Sequence, residues 1–245
     1  MQPRVITVSS VPRAGELYDL WEASGKQSAI VVGTAKNVGK TTTVNALLRV
    51  AAERGVGMGL TSIGRDGEAF DAVDEAPKPR IFIESGTLIA AGRALVPHAR
   101  GIDVLDERER SALGPIVFYR ASLPQYVEIS GAPTAHTMRA VIDRLRDLGS
   151  ERVLIDGAID RVAIVATGND AVIVATGMSR AATIEEVASD TRLLIEKLGP
   201  SRTIACTTCP VGEGRSARAE ALLRAVGEAT GLPTFDLQAG LRWNP

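Results

Sequence analysis

Two glycines, a lysine and a threonine stand at a spacing that can do chemistry. Gly33-Thr34-Ala35-Lys36-Asn37-Val38-Gly39-Lys40-Thr41 fits a pattern of glycine, four residues, glycine, lysine, then serine or threonine. Glycines there let consecutive backbone N–H groups turn inward on an anion. Lys40 is placed to reach the outer phosphates of a nucleoside triphosphate, and the Thr41 hydroxyl to bind the accompanying magnesium. Thr34, Asn37, Val38 and Thr42 complete the expected cradle around Gly33 and Gly39. Ala29 to Val32 before the loop read as a buried strand. Thr43 to Glu53 after it carry Val44, Leu47, Leu48 and Ala51 at helical spacing. A helix N-terminus at the loop adds unpaired donors and the positive end of a dipole.

A phosphate loop needs a carboxylate near its metal. Val153-Leu-Ile-Asp156 is an apolar run ending in an acid, with Gly157 and Ala158 leaving room beside it. Asp156 is therefore the expected magnesium partner, with Asp160 and Arg161 as outer groups. Gly59 to Ile63 form a second strand-like run, ending in Gly64-Arg65-Asp66-Gly67-Glu68. Polar residues past the carboxyl end of a strand lie where open α/β sheets bind ligands. Asp66 is thus a candidate to hold the magnesium or to orient the attacking water, and Arg65 to meet a phosphate; a backbone-shaping turn is the alternative. Glu84-Ser85-Gly86-Thr87 and Glu128-Ile-Ser130-Gly131 put polar groups at strand ends, as site borders or as caps. Cys206 and Cys209 supply two thiolates, fewer than a structural zinc or iron–sulfur site requires, and read as small residues near the nucleotide base. His98 and His136 have no partner at a recognisable spacing and read as surface groups.

The elements that must hold these groups fit one α/β domain. The chain has 245 residues, and 45% of them are hydrophobic, enough for a sizeable core. Charge is balanced at 28 basic against 29 acidic residues, which argues against nucleic acid or an acidic membrane surface as the partner. No apolar run approaches the roughly 18 residues of a membrane span, and no signal-peptide core is read at the N-terminus, so a cytoplasmic location is expected. Strand centres at Ile30, Leu60, Val153, Ile173, Ile204 and Phe235 predict a mostly parallel sheet of about six strands. The fold class is then a three-layer P-loop NTPase domain over 28–245, preceded by an N-terminal arm over 1–27. Within the arm, Val5 to Val8 read as a strand and Ala14 to Ala23 as a helix. Short apolar runs between about 66 and 130 form a β-rich excursion of extra edge strands, with Gly86 to Leu95 read as a helix. Regular order resumes with helices over Thr134 to Leu148, Ala181 to Leu198 and Ala217 to Ala229. No guanine-specifying Asn/Thr-Lys-x-Asp segment is present, so ATP is the expected nucleotide.

Gly33 to Thr41, Thr61-Ser-Ile-Gly-Arg-Asp-Gly-Glu68 and Ile155-Asp-Gly-Ala-Ile-Asp-Arg161 together resemble the P-loop subunit of reactivating factors for adenosylcobalamin-dependent aminomutases. Lys78-Pro-Arg-Ile81 and Ser85-Gly-Thr-Leu88 fit the same pattern, over roughly Ala29 to Thr176. The resemblance implies an ATP hydrolase that works beside a larger ATPase subunit; Lys40 in the loop and Asp66 past the second strand are the residues expected to be catalytic. Its client would be lysine or ornithine aminomutase, from which damaged cobalamin is released. The wider class resembles dimerising P-loop ATPases and dethiobiotin-synthetase-like ligases, leaving a homodimer open. In many dimerising relatives a second lysine sits five residues before the loop lysine; that position here is Ala35, with Lys36 one residue later. Two other functions stay open: a ligase passing through an acyl-phosphate or carbamyl-phosphate, and a nucleotide-dependent metal carrier using Cys206 and Cys209.

Overall fold

The computed structural model describes residues 13–63, 80–96, 100–111, 114–132, 134–157, 169–178, 183–210 and 215–245. In chain order these give α1 (Arg13–Ala23), β1 (Ser28–Gly33), α2 (Lys40–Glu53), β2 (Met58–Ser62), β3 (Ile81–Ile83), β4 (Leu88–Gly92), β5 (Ile102–Ser111), β6 (Gly114–Ala121) and β7 (Gln125–Val127). There follow α3 (Ala135–Asp147), β8 (Arg152–Asp156), β9 (Ala171–Gly177), α4 (Ile184–Leu198), β10 (Thr203–Cys209), α5 (Arg215–Thr230), β11 (Thr234–Asp236) and β12 (Leu241–Trp243). Ten strands make one sheet in the order β12-β11-β10-β9-β1-β8-β2-β4-β6-β5. Every pairing from β11 across to β4 is parallel, and the outer pairings β11–β12, β4–β6 and β6–β5 are antiparallel. The fold is α/β with a large, mostly parallel sheet.

Side-chain alternation along the strands sorts the core into two layers. Ala29, Val31, Leu60, Leu154, Ile173 and Phe235 pack with α1 and α2. Ile30, Val32, Val153, Ile155, Val172 and Val174 pack with α3, α4 and α5 on the other face. Strands buried on both faces read as continuous apolar runs, which is why these were visible in the sequence.

The excursion differs from expectation at one point. Gly86 to Leu95 is not a helix: Leu88–Gly92 is β4, followed by a single 3-10 turn over Arg93–Leu95. Leu88-Ile-Ala-Ala is short, apolar and buried on both sides, so no periodicity separates a buried strand from a helix there. β4 therefore joins the parallel core, and β6 and β5 extend that edge. Beyond the expected last strand, β12 closes the opposite edge. β3 and β7 form a separate antiparallel ribbon. It is pinned to α2 by Asn45, whose carboxamide accepts from Phe82 N (3.0 Å) and donates to Arg80 O (3.4 Å).

Helix α1, inside the stretch read as an arm, is part of the core. Leu17, Tyr18 and Trp21 have no exposed surface and share a cluster with α2, Ala205 and Phe235. Both helices that follow β9 and β10 lie on the opposite face, so α1 covers apolar strand surface that no later helix reaches. The Trp21 indole N–H donates to Lys26 O (2.9 Å), and Arg152 stacks over its ring. Val5 to Val8 lie outside the described residues. Among the described residues, no helix is long and apolar enough to cross a membrane.

Trp21→Ala should destabilise the chain by about 3–5 kcal/mol in urea unfolding, as for other large-to-small changes in a core. The buried Tyr18 hydroxyl has no hydrogen-bond partner among the described residues. Tyr18→Phe should therefore be neutral to slightly stabilising, because it removes an unpaired polar group without opening a cavity.

Candidate functional site

β1 delivers Gly33 to the carboxyl edge of the sheet, and α2 starts at Lys40. Two other helices are capped by side chains: Thr134 accepts from Thr137 N at α3, and Thr183 forms a capping box with Glu186 at α4. Helix α2 has Gly39 at its N-cap, with no side-chain cap. Its leading N–H groups are left for something outside the helix. Gly39 sits at φ 90°, and a Cβ there would lie 2.9 Å from Cys209 Cβ, so the position admits only glycine. Asn37 is the one non-glycine residue with positive φ (60°) among the described residues, a conformation asparagine tolerates and one that helps fold backbone N–H groups into a concave nest.

Asp156 ends β8, directly beside β1, with Val31 as its register partner. Alternation puts its side chain on the same face as Leu154, the face of α2. Lys40 Nζ lies 3.2 Å from Asp156 Oδ1 and donates to Gly157 O at 2.5 Å. Gly157 fits because its N–H donates to Val31 O (2.9 Å) and a Cβ would crowd that same oxygen. Oδ1 of Asp156 is buried and has no other partner among the described residues. The gross attraction at 3.2 Å is about 5 kcal/mol at an effective dielectric of roughly 20. Desolvation costs several kcal/mol per ion. Desolvation wins: burial raises the Asp156 pKa above its ordinary value, and Lys40 offsets only part of the rise. A carboxylate held this way, next to a lysine and an uncapped helix end, has the chemistry to take a hard divalent cation together with a polyphosphate.

Threonines tie the loop to the sheet and to both helical layers. Thr34 Oγ1 is 2.9 Å from Thr176 Oγ1 on β9, which is 2.8 Å from Thr191 Oγ1 on α4. Thr191 Oγ1 also lies 2.6 Å from Val187 O. A hydroxyl has one proton and a carbonyl only accepts. Thr191 is the donor to both Thr176 Oγ1 and Val187 O, so its single proton is shared between them, and either hydroxyl of the Thr34–Thr176 pair can donate to the other. On the other side of the loop, Thr43 Oγ1 meets Gly39 O (3.1 Å) and Thr207 Oγ1 (2.8 Å).

Of the residues singled out in the sequence, Gly33, Thr34, Asn37, Val38, Gly39, Lys40, Thr41, Thr42 and Asp156 gather around this one loop. Arg65, Asp66, Asp160, Arg161 and His98 lie outside the described residues. The two polar turns separate. Glu84–Thr87 precedes β4 at the amino edge of the parallel strands, the far end from the loop. Ser130 and Gly131 lie at the carboxyl edge, where Ala132 bridges Ile63. Cys206 and Cys209 are three apart on β10 and so face opposite layers. Cys206 is fully buried, with its thiol pushed up to about 12 by that burial. Cys209 abuts Gly39. The two thiols therefore do not form a chelating pair within one chain. His136 is exposed on α3.

Sequence reasoning missed Thr176, Thr191 and Thr207, whose hydroxyls act across elements. The only signal for Thr176 was its place before a glycine at the end of an apolar run. No protein-family model matches the chain, and no curated protein matches it.

The raised Asp156 pKa has a stability consequence. An acid whose folded pKa lies above its unfolded value contributes stability while both states are protonated, and loses it as pH rises through the folded pKa. At neutral pH, above the ordinary carboxylate range, the ligand-free protein thus carries the cost of a carboxyl group whose charged form burial disfavours. Lys40 keeps 29% side-chain exposure, so water can solvate it if its partner goes. Asp156→Asn should unfold at higher denaturant than the wild type at neutral pH, and the two curves should converge at acidic pH.

Proposed function

We propose that this chain is a magnesium-dependent, ATP-binding P-loop ATPase. The observation that carries the reading is the meeting of Lys40, first residue of an uncapped helix, with the half-buried carboxylate of Asp156, whose Oδ1 is buried, on a strand adjacent to β1. The glycine-dependent loop before that helix is the second support. Magnesium, when bound, would neutralise charge on the phosphates. Lys40 would leave Asp156 and Gly157 O to hold the outer phosphates, Thr41 and Asp156 would hold the metal, and the N–H groups of the loop and first helical turn would share the remaining charge. Asp66 is assigned to orienting the attacking water or to the magnesium shell. ATP is favoured over GTP because the chain has no guanine-specifying segment.

The biological task we assign is help in reactivating a cobalamin-dependent aminomutase, alongside a larger ATPase subunit. That assignment rests on the similarity of Gly33–Thr41, Thr61–Glu68 and Ile155–Arg161 to reactivating-factor sequences. On this reading ATP turnover drives a conformational cycle, and cobalamin stays on the mutase.

Lys40→Ala should lower ATP hydrolysis by about 10²–10³-fold or more while the circular dichroism of the folded protein is retained; near-normal turnover in a folded variant would refute the assignment. Asp66→Asn should cut turnover more than ATP affinity. Adding lysine or ornithine aminomutase loaded with damaged cobalamin should raise ATP turnover and release the cobalamin. Turnover unchanged by either mutase would remove the client assignment.

A further inference from the structure

Three hydroxyls run from the phosphate loop to α4 through a layer otherwise filled by apolar side chains. Val32 on β1 and Val174 on β9 belong to the layer of α3, α4 and α5. Thr34, just past β1, and Thr176 on β9 each follow two residues later and take the same face. Thr176 and Thr191 are fully buried, while Thr34 is partly exposed. We propose that Thr176 is a positioning residue for nucleotide binding: its hydroxyl donates to Thr34, so that the Thr34 proton is presented to a phosphate oxygen. The inference rests on the phosphate-loop reading above and deepens it.

Counting protons sets the direction. The Thr191 proton is shared between Val187 O (2.6 Å) and Thr176 Oγ1 (2.8 Å). Thr176 therefore keeps a proton of its own, and Thr34 Oγ1 at 2.9 Å is its acceptor among the described residues. With Thr34 as the donor instead, the Thr176 proton would have no acceptor there, in a fully buried position. A buried donor left unpaired costs its full desolvation penalty, more than a typical hydrogen bond contributes. With Thr176 as the donor, the proton left over is that of Thr34, which solvent or a ligand can reach.

Packing gives no reason for a hydroxyl at position 176. Ala171 to Ala175 before it are apolar and fully buried, and a valine would fill the same space as the threonine. Helix α4 does not need it either, because Thr191 already has Val187 O one turn back. The residue it serves is Thr34. The Thr34 N–H donates to Ala175 O (2.9 Å), so its main chain and side chain are both held by the end of β9. Gly33, the residue before it, stands so near Lys40 that an added Cβ would lie 3.9 Å from Lys40 Cδ. The Thr34 hydroxyl is thus fixed at the start of the loop, one residue from the lysine assigned to the outer phosphates. A hydroxyl that donates to a charged oxygen makes one of the stronger hydrogen bonds open to a neutral group.

The test is calorimetric titration of MgATP and magnesium tripolyphosphate into the full chain and its variants, with urea unfolding of each as the check on folding. Thr176→Val and Thr176→Ala should each weaken both ligands about tenfold, the loss of one hydrogen bond to a charged group. Thr176→Ser keeps the hydroxyl and should bind both as the wild type does. Thr34→Val should show the same loss, and adding Thr176→Val to it should cost nothing further, because Thr176 acts through Thr34. Losses that multiply in the double variant, or a loss in Thr176→Ser equal to that in Thr176→Val, would overturn the positioning role. Wild-type affinity in folded Thr176→Val and Thr176→Ala would overturn it as well and spare the phosphate loop. Failure of the wild type to bind either ligand would overturn the phosphate-loop reading and this inference together.

Discussion

A carboxylate with one oxygen buried at the end of β8 needs a cation, and the structure around it is arranged to supply one. Asp156 sits where desolvation disfavours its charge, and the cation beside it among the described residues is Lys40, across the β1–β8 junction. That pairing fixes several things at once. β8 must lie next to β1, Gly157 must lack a side chain so that the chain passes close to Val31, and α2 must begin at Lys40. Lys40 cannot fully compensate the carboxylate. The ligand-free site is therefore held at a cost, and a metal with its polyphosphate would relieve it.

The layers around the junction keep it in register. α1 and α2 cover one face of the sheet, and α3, α4 and α5 cover the other. Hydroxyl contacts then join the loop to both sides, through Thr34, Thr176 and Thr191 toward α4 and through Thr43 and Thr207 toward β10. Changes at the loop thus have short physical routes to α4 and to β10. The β3–β7 ribbon is joined to α2 by Asn45, so the helix that carries Lys40 also anchors the excursion.

The loop and its carboxylate were legible because their residue types are nearly dictated by their geometry. Gly39 must adopt a positive φ against Cys209, and an acid after three apolar residues marks a buried strand reaching an edge. The six expected strand centres were legible for a related reason, since strands buried on both faces leave unbroken apolar runs. β4 was not, because Leu88 to Ala91 is too short and too uniformly apolar for period to distinguish helix from strand. The threonine contacts were not either. Thr34 and Thr176 are 142 residues apart, and no local pattern marks a hydroxyl that acts across that separation. The role of α1 was hidden because its apolar face would fit equally well against the domain or against a second subunit.

The central claim is that one carboxylate serves Lys40 in the ligand-free protein and a metal in the loaded one. Titrating ATP into the wild-type protein with magnesium, and again with a chelator, tests it most directly. The account predicts one ATP per chain and binding tighter with magnesium by an order of magnitude or more, because without the metal Asp156 faces the phosphates unneutralised once Lys40 has turned away. Equal affinity in both conditions, or no binding in either, would contradict it.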